Sequence, residues 1–207
     1  MKNHLFLFFL IVNLSVEAQT KFKLVEKETD TWRSIYSLVD ENNKTLRVLD
    51  SAKYYMPLNG FEFGYFAVIA KKGSKNYGWP AIDANENILF YVYNTSIGEP
   101  SPDYLIENKI RIIDENEKIG FANEKGEIII KPQFEIVTSF HNGYAIIAEK
   151  CKKVPWGNHE NNGGCNHYSI KCERHGYIDE KGKIIKLGNF TFEQIIEEIK
   201  WKPDEQY

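Results

Sequence analysis

Between Gly120 and Ala148 the chain reads GFANEKGEIIIKPQFEIVTSFHNGYAIIA, short apolar runs separated by polar, glycine-bearing clusters. Gly126 follows Asn-Glu-Lys, the composition of a tight reversal, because glycine reaches positive φ at little cost and asparagine tolerates it. Phe121-Ala122 lies on one side and Ile128-Ile129-Ile130 on the other, where β-branching favours a pleated strand over a helix. The pattern predicts a hairpin centred on Glu124-Lys125. Pro132 has no N–H to donate, so the chain is expected to leave the sheet there. Phe134, Val137 and Phe140 then recur every third residue, as on one face of a single irregular helical turn. After Gly143 a further strand is expected over Tyr144 to Ala148.

Weaker copies of this pattern occur on both sides. Ser37 to Lys44 aligns without a gap on Pro80 to Asn87, on Gly120 to Glu127 and on Gly176 to Lys183, with Asp40, Asp83, Asn123 and Asp179 each opening a turn. An apolar strand follows each turn, over Leu46 to Leu49, Ile88 to Tyr93, Ile128 to Ile130 and Ile184 to Leu187. Another precedes each unit, over Phe22 to Val25, Tyr65 to Ile69, Ile110 to Ile113 and Tyr144 to Ala148. The unit is a three-stranded meander recurring about every 40 residues, a period typical of β-repeat arrays, with an insertion of about 15 residues before the last copy.

These residues resemble the WG repeat family, whose units are similar to W-G-Y-I-D-x-x-G-K-x-V-I-x-P-x-[FY]-D followed by F-x-x-G-x-A. Gly120 to Ala148 and Gly176 to Ile185 carry the resemblance best, and Ser37 to Leu49 and Pro80 to Tyr93 follow it in outline. At the Trp-Gly positions stand Tyr36-Ser37, Trp79-Pro80, Ile119-Gly120 and His175-Gly176. The resemblance implies a β-rich repeat fold and brings no shared catalytic residues.

A three-stranded meander cannot bury its apolar face alone, so neighbouring units are expected to stack and share a core. The resulting fold class is all-β, with tandem three-stranded meanders in a stacked, curved array and a short C-terminal helix. Thr191 with Gln194 three residues later makes a capping box, and Phe192, Ile195, Ile196 and Ile199 share one helical face. With Glu193, Glu197 and Glu198 on the opposite face, that helix is expected to cover the last sheet edge rather than bind a membrane.

Lys2, the apolar run Leu5 to Val12 and Val16-Glu17-Ala18 have the layout of a signal peptide cleaved after Ala18. The run is shorter than the about 20 residues needed to span a bilayer, and no Cys follows it for lipid attachment. The reading divides the chain into a signal peptide over 1–18, a β-repeat domain over 19–189 with an insertion at 151–172, and a capping helix with tail over 190–207. Secreted or periplasmic localisation follows, with no membrane insertion after cleavage. The 207 residues are 43% hydrophobic and 14% aromatic, enough for one sizeable core, and 26 basic residues against 29 acidic ones leave a net charge of -3. That balance gives no field to draw nucleic acid or anionic lipid.

The insertion holds all three cysteines, Cys151, Cys165 and Cys172, with His159 and His167 between them and His175 just beyond. Thiolate and imidazole suit a transition metal, but no C-x2-C or H-x3-H pair places two ligands on one turn, and no metal or other cofactor is expected. If the strands through Ala148 and Gly176 pair, Glu149 faces Arg174 and Cys151 faces Cys172, and a disulfide would offset the closure cost of the loop by about 3 kcal/mol. Cys165 is then left free, or pairs with either of the others instead. The tip, with Trp156, His159 and His167, is the expected contact loop, since binding concentrates on long loops held by rigid scaffolds. Asp40, Asp83, Asp114 and Asp179 fit turn chemistry better than a pair of glycosidase acids. Tyr54, Tyr55, Tyr65, Tyr91 and Tyr93 fit a β core better than a ligand platform. Asn189-Phe190-Thr191 is a glycosylation sequon.

The leading expectation is a non-catalytic binding or scaffolding module with a protein or cell-envelope ligand. The alternatives are metal-dependent or hydrolytic activity at the insertion, and a structural envelope component.

Overall fold

The computed structural model describes residues 20–28, 34–58, 62–74, 77–95, 101–155 and 168–202. The leader at 1–18 and the tip carrying Trp156, His159, Cys165 and His167 lie outside the described residues.

Among the described residues, fourteen strands and one helix follow one another in chain order. β1 (Phe22–Glu28), β2 (Ser34–Asp40) and β3 (Thr45–Val48) form a first antiparallel meander. β4 (Tyr54–Pro57) pairs with β5 (Ala67–Lys71), which opens a second meander with β6 (Trp79–Ile82) and β7 (Ile88–Val92). The third is β8 (Lys109–Ile113), β9 (Ile119–Asn123) and β10 (Ile128–Phe134). β11 (Ile136–Val137) edges the fourth, β12 (Tyr144–Pro155), β13 (Tyr168–Asp179) and β14 (Ile184–Gly188), before α1 (Phe192–Ile199). β7 also pairs with β8, so the second and third meanders and β4 share one seven-stranded sheet.

The second and third strands of every meander are joined by the same turn. Oδ1 of Asp40, Asp83, Asn123 and Asp179 accepts the backbone N–H groups two and four residues on, at 2.8 to 3.0 Å. The opening carbonyl accepts the N–H three residues on, and that residue has positive φ: Asn43, Glu86, Gly126 and Gly182. This is a type I turn with a bulge residue in the left-handed region. Beyond it the ladder slips identically in all four. The residue one before the opening position pairs with the one five after it, as Val39 with Thr45, Ile82 with Ile88, Ala122 with Ile128 and Ile178 with Ile184. The residue two before pairs seven after, as Leu38 with Arg47, Ala81 with Phe90, Phe121 with Ile130 and Tyr177 with Lys186. Leu46, Leu89, Ile129 and Ile185 are therefore each extruded from the ladder, which strengthens the local twist. Asp114 makes the same side-chain bonds to Asn116 and Lys118, but its hairpin stays in simple register from Ile113 and Ile119 to Ile112 and Gly120. The bulge, and not the turn, distinguishes the four equivalent hairpins from the fifth.

In the second, third and fourth meanders the left-handed turn residue meets the third strand of the meander before it. The Glu86 carboxylate lies 3.6 Å from Arg47 Nε. A Cβ on Gly126 would sit 2.9 Å from Leu89 Cδ1, and one on Gly182 would sit 2.8 Å from Ile130 Cγ2. Three apolar cores follow the same order. Phe22, Leu24 and Leu38 pack with Ala67, Ile69 and Ile82. Val68, Phe90 and Val92 pack with Ile110, Ile112 and Ala122. Phe121 and Ile130 pack with Phe140, Ala145, Ile147 and Ile178. Each core thus joins two successive meanders, and each fully buried aliphatic side chain contributes about 1.5 to 3 kcal/mol.

Two local expectations are corrected. β10 does not end at Pro132: the strand runs on to Phe134, which re-pairs with Ile119 after a second register shift. Proline interrupts the ladder, but the bulge already there leaves its missing N–H without a partner to disappoint. Phe134, Val137 and Phe140 also form no helical turn. Val137 lies in β11 against Ile147, and Val137 and Phe140 are buried because both belong to the core under β9.

α1 is capped as its sequence predicts: the Thr191 hydroxyl accepts from Gln194 N–H and the Gln194 side chain accepts from Thr191 N–H. Ile195 is fully buried against the fourth meander. Lys186 ion-pairs with Glu198 at 2.5 Å and lies over the Phe190 ring, and this ammonium contact holds the Glu198 carboxyl below its ordinary range. Trp201 Nε1 donates to Ser139 O at 3.0 Å, tying the end of the helix to the connector between the third and fourth meanders. No helix among the described residues is long and apolar enough to cross a membrane.

Candidate functional site

Residues 101–105, in the connection between β7 and β8, build one wall of a cleft of about 490 Å³. The other wall comes from residues 62–66 ahead of β5, with Leu58 and Val68, and Glu124 reaches in from the β9–β10 turn. Phe63, Tyr104 and Leu105 remain exposed along it.

One buried ion pair holds the wall in place. Asp103 is the only buried polar residue among those described, and its carboxylate takes Arg111 Nε, Nη2 and backbone N–H at 2.8 to 2.9 Å. Arg111 also donates to Val137 O and lies over the Tyr93 ring, 4.9 Å from its centroid. Burial works against the guanidinium charge, but the Asp103 bonds and charge outweigh it and keep its pKa above the ordinary value. Burial also raises the Tyr93 hydroxyl, against the opposing pull of Arg111. Asp103 N–H donates to Tyr93 O, so Tyr104 and Leu105 are presented from backbone fixed at both ends. A bidentate, fully hydrogen-bonded pair of this kind is how a charge becomes tolerable in an interior.

The described part of the insertion is a ladder. β12 and β13 pair in one register from Tyr144 and Asp179 out to Pro155 and Tyr168, placing Glu149 opposite Arg174 and Cys151 opposite Cys172. Cys151 and Cys172 are joined by a disulfide. At its base Lys150 takes a left-handed φ of 54°, which turns its N–H to the same side as that of Cys151. The Glu135 carboxylate accepts both, at 3.0 and 2.8 Å. The described part of the arm is thus locked covalently and by a clamped carboxylate; the tip expected to make contacts lies outside the described residues.

The remaining candidates are dispersed. Asp40, Asp83, Asp114 and Asp179 sit in separate turns with Oδ1 committed to backbone N–H groups. Tyr54 is buried, and its hydroxyl is pushed up to about 12, by burial first and then by the Glu86 carboxylate. Tyr65 lines the large cleft, Tyr91 lines a second one near Ile88 and Ile128, and Tyr55 faces solvent, so the tyrosines make no single platform. His175 is engaged too, with Nδ1 2.8 Å from Phe190 O. Sequence reasoning missed the cleft. Its available signal was the apolar pair Tyr104-Leu105 within a connection that no strand pattern claimed.

Residues 119–149, from β9 into β12, match the family described as WG containing repeat. The match bears out the resemblance to the WG repeat family over this one segment. A comparison with curated proteins finds no match.

Proposed function

We propose that the chain is an exported, non-catalytic binding or scaffolding module, a tandem array of four β units stacked in chain order and closed at its C-terminal end by α1. The observation that carries this reading is the recurring junction, in which a left-handed turn residue of one unit abuts the third strand of the unit before it: Glu86 at Arg47, Gly126 at Leu89, Gly182 at Ile130. A contact repeated in this way makes stability a matter of nearest neighbours and leaves the last unit needing a cap. The residue seven after Asp179 is Lys186, where a further unit would dock, and Glu198 and Phe190 occupy it instead. The polar groups that recur along the chain are spent on turns, which leaves recognition to the features that do not recur, the cleft at Tyr104 and the braced arm.

Export is supported by the disulfide, which persists in oxidising compartments, together with the leader-like start of the chain. The alternative of metal chemistry at the insertion is weakened by the same bond, because cystine sulfurs do not offer thiolates. A photo-crosslinking residue at position 104, with a control at exposed Lys131, tests the reading in the native host. A discrete partner adduct from position 104 alone is expected. Adducts from both positions alike, or from neither, would overturn the placement of the binding surface, and stoichiometric zinc in the purified protein would favour the metal reading.

A further inference from the structure

Resting on the reading of the cleft as a binding surface, we infer that it receives a lysine or arginine side chain of a partner polypeptide. Four rings line it, Phe63, Tyr65, Phe66 and Tyr104, with the carboxylates of Glu62 and Glu124, and no lysine or arginine is among its described lining residues. The third acid there, Asp103, is already neutralised by Arg111. The cleft is therefore aromatic and net acidic. Aromatic faces attract cations through the ring quadrupole, and the attraction grows as water is excluded.

The molecule uses this property itself. The Lys23 ammonium sits 4.8 Å from the centroid of Phe63, so one of the four rings already holds a cation. A long basic side chain suits both components, because its aliphatic stem packs along apolar surface such as Leu58 and Leu105 while its head meets carboxylate and ring. The competing chemistries fit worse. An anion meets two like charges. An uncharged apolar side chain leaves two carboxylates to lose water without compensation. A volume of about 490 Å³ is within the range of sites that enclose a ligand group and not merely a flat contact.

The test is a titration of the isotope-labelled protein with three capped tripeptides, Gly-Lys-Gly, Gly-norleucine-Gly and Gly-Glu-Gly, read from amide shifts around Phe63 and Tyr104. The lysine peptide is expected to bind at least about tenfold more tightly than the norleucine peptide, and to weaken as salt is raised. The Glu62→Gln/Glu124→Gln variant should fold with an unchanged amide spectrum elsewhere and lose that preference. Equal binding of the lysine and norleucine peptides, preference for the glutamate peptide, no binding up to about 10 mM, or a preference that survives the double substitution would each overturn the inference. Crosslinking from position 104 alongside any of those results would leave the binding surface in place and remove only its chemistry.

Discussion

The first two meanders and the last two build the same bulged hairpin from different residues. Three positions before the opening Asx stand Ser37 and Pro80 in the first pair, and Gly120 and Gly176 in the second. In the second pair the strands close in further. A Cβ on Gly176 would collide with Lys186 O and lie 2.7 Å from Leu187 Cα, and one on Gly120 would collide with Ile130 O and lie 2.6 Å from Pro132 N. At the left-handed turn position Asn43 and Glu86 give way to Gly126 and Gly182. The difference teaches that the glycines are required by closeness of approach, not by the hairpin itself, whose slipped register forms with or without them.

Substitution should therefore separate the two pairs sharply. Gly176→Ala is expected to cost about 4 kcal/mol or more, with Gly120→Ala close behind, because rigid backbone stands where the methyl would go. Ser37→Ala should stay within about 0.5 kcal/mol, and Pro80→Ala within about 1. Denaturant midpoints at a constant slope would check this, and equal losses in both pairs would break the comparison. Asp103→Asn, between the pairs, should remove about 3 to 5 kcal/mol by leaving the Arg111 charge buried and unpaired; a loss below about 1 kcal/mol would mean the pair is solvated.

The disulfide belongs to the second pair alone. Cys151→Ser/Cys172→Ser should cost about 3 kcal/mol, with the lost hydrogen-exchange protection confined to β12 and β13. The first pair has its own signature at high pH. The Tyr54 hydroxyl, ordinarily near 10, is raised to about 12 in the fold, so its ionisation favours the unfolded chain. Its contribution is intact below about pH 10 and fades as pH rises towards 12, by up to about 2 to 3 kcal/mol. Tyr54→Phe should flatten that slope while costing about 1 kcal/mol near neutrality.

Much of this architecture was legible in the residues. Asp40, Asp83, Asn123 and Asp179 align without gaps because turn chemistry is local and each needs an acceptor two and four residues ahead of a donor. The Cys151 to Cys172 pairing followed from one hairpin register, and α1 from its capping box and apolar face. The common bulge was not legible, since Leu46, Leu89, Ile129 and Ile185 are apolar like the residues around them and only the partner strand reveals the slip. Pro132 misled because a proline breaks a regular ladder but not one already interrupted. The cleft was hidden for a different reason: Phe63 and Tyr104 lie far apart in the chain, and what fixes their segments, the Gly64–Phe22 backbone bonds on one side and the Asp103–Arg111 pair on the other, is invisible to periodicity.

The proposed stacking of consecutive units is tested most directly by a double-mutant cycle between Leu89→Ala and Gly126→Ala. Gly126→Ala presses a methyl against Leu89 Cδ1, so truncating Leu89 should relieve part of its cost and leave the pair coupled by about 1 kcal/mol. Leu89→Ala with Gly182→Ala, two units apart, should add within about 0.5 kcal/mol. Additivity across the first pair, or coupling of similar size across the second, would contradict an array held together by its nearest neighbours.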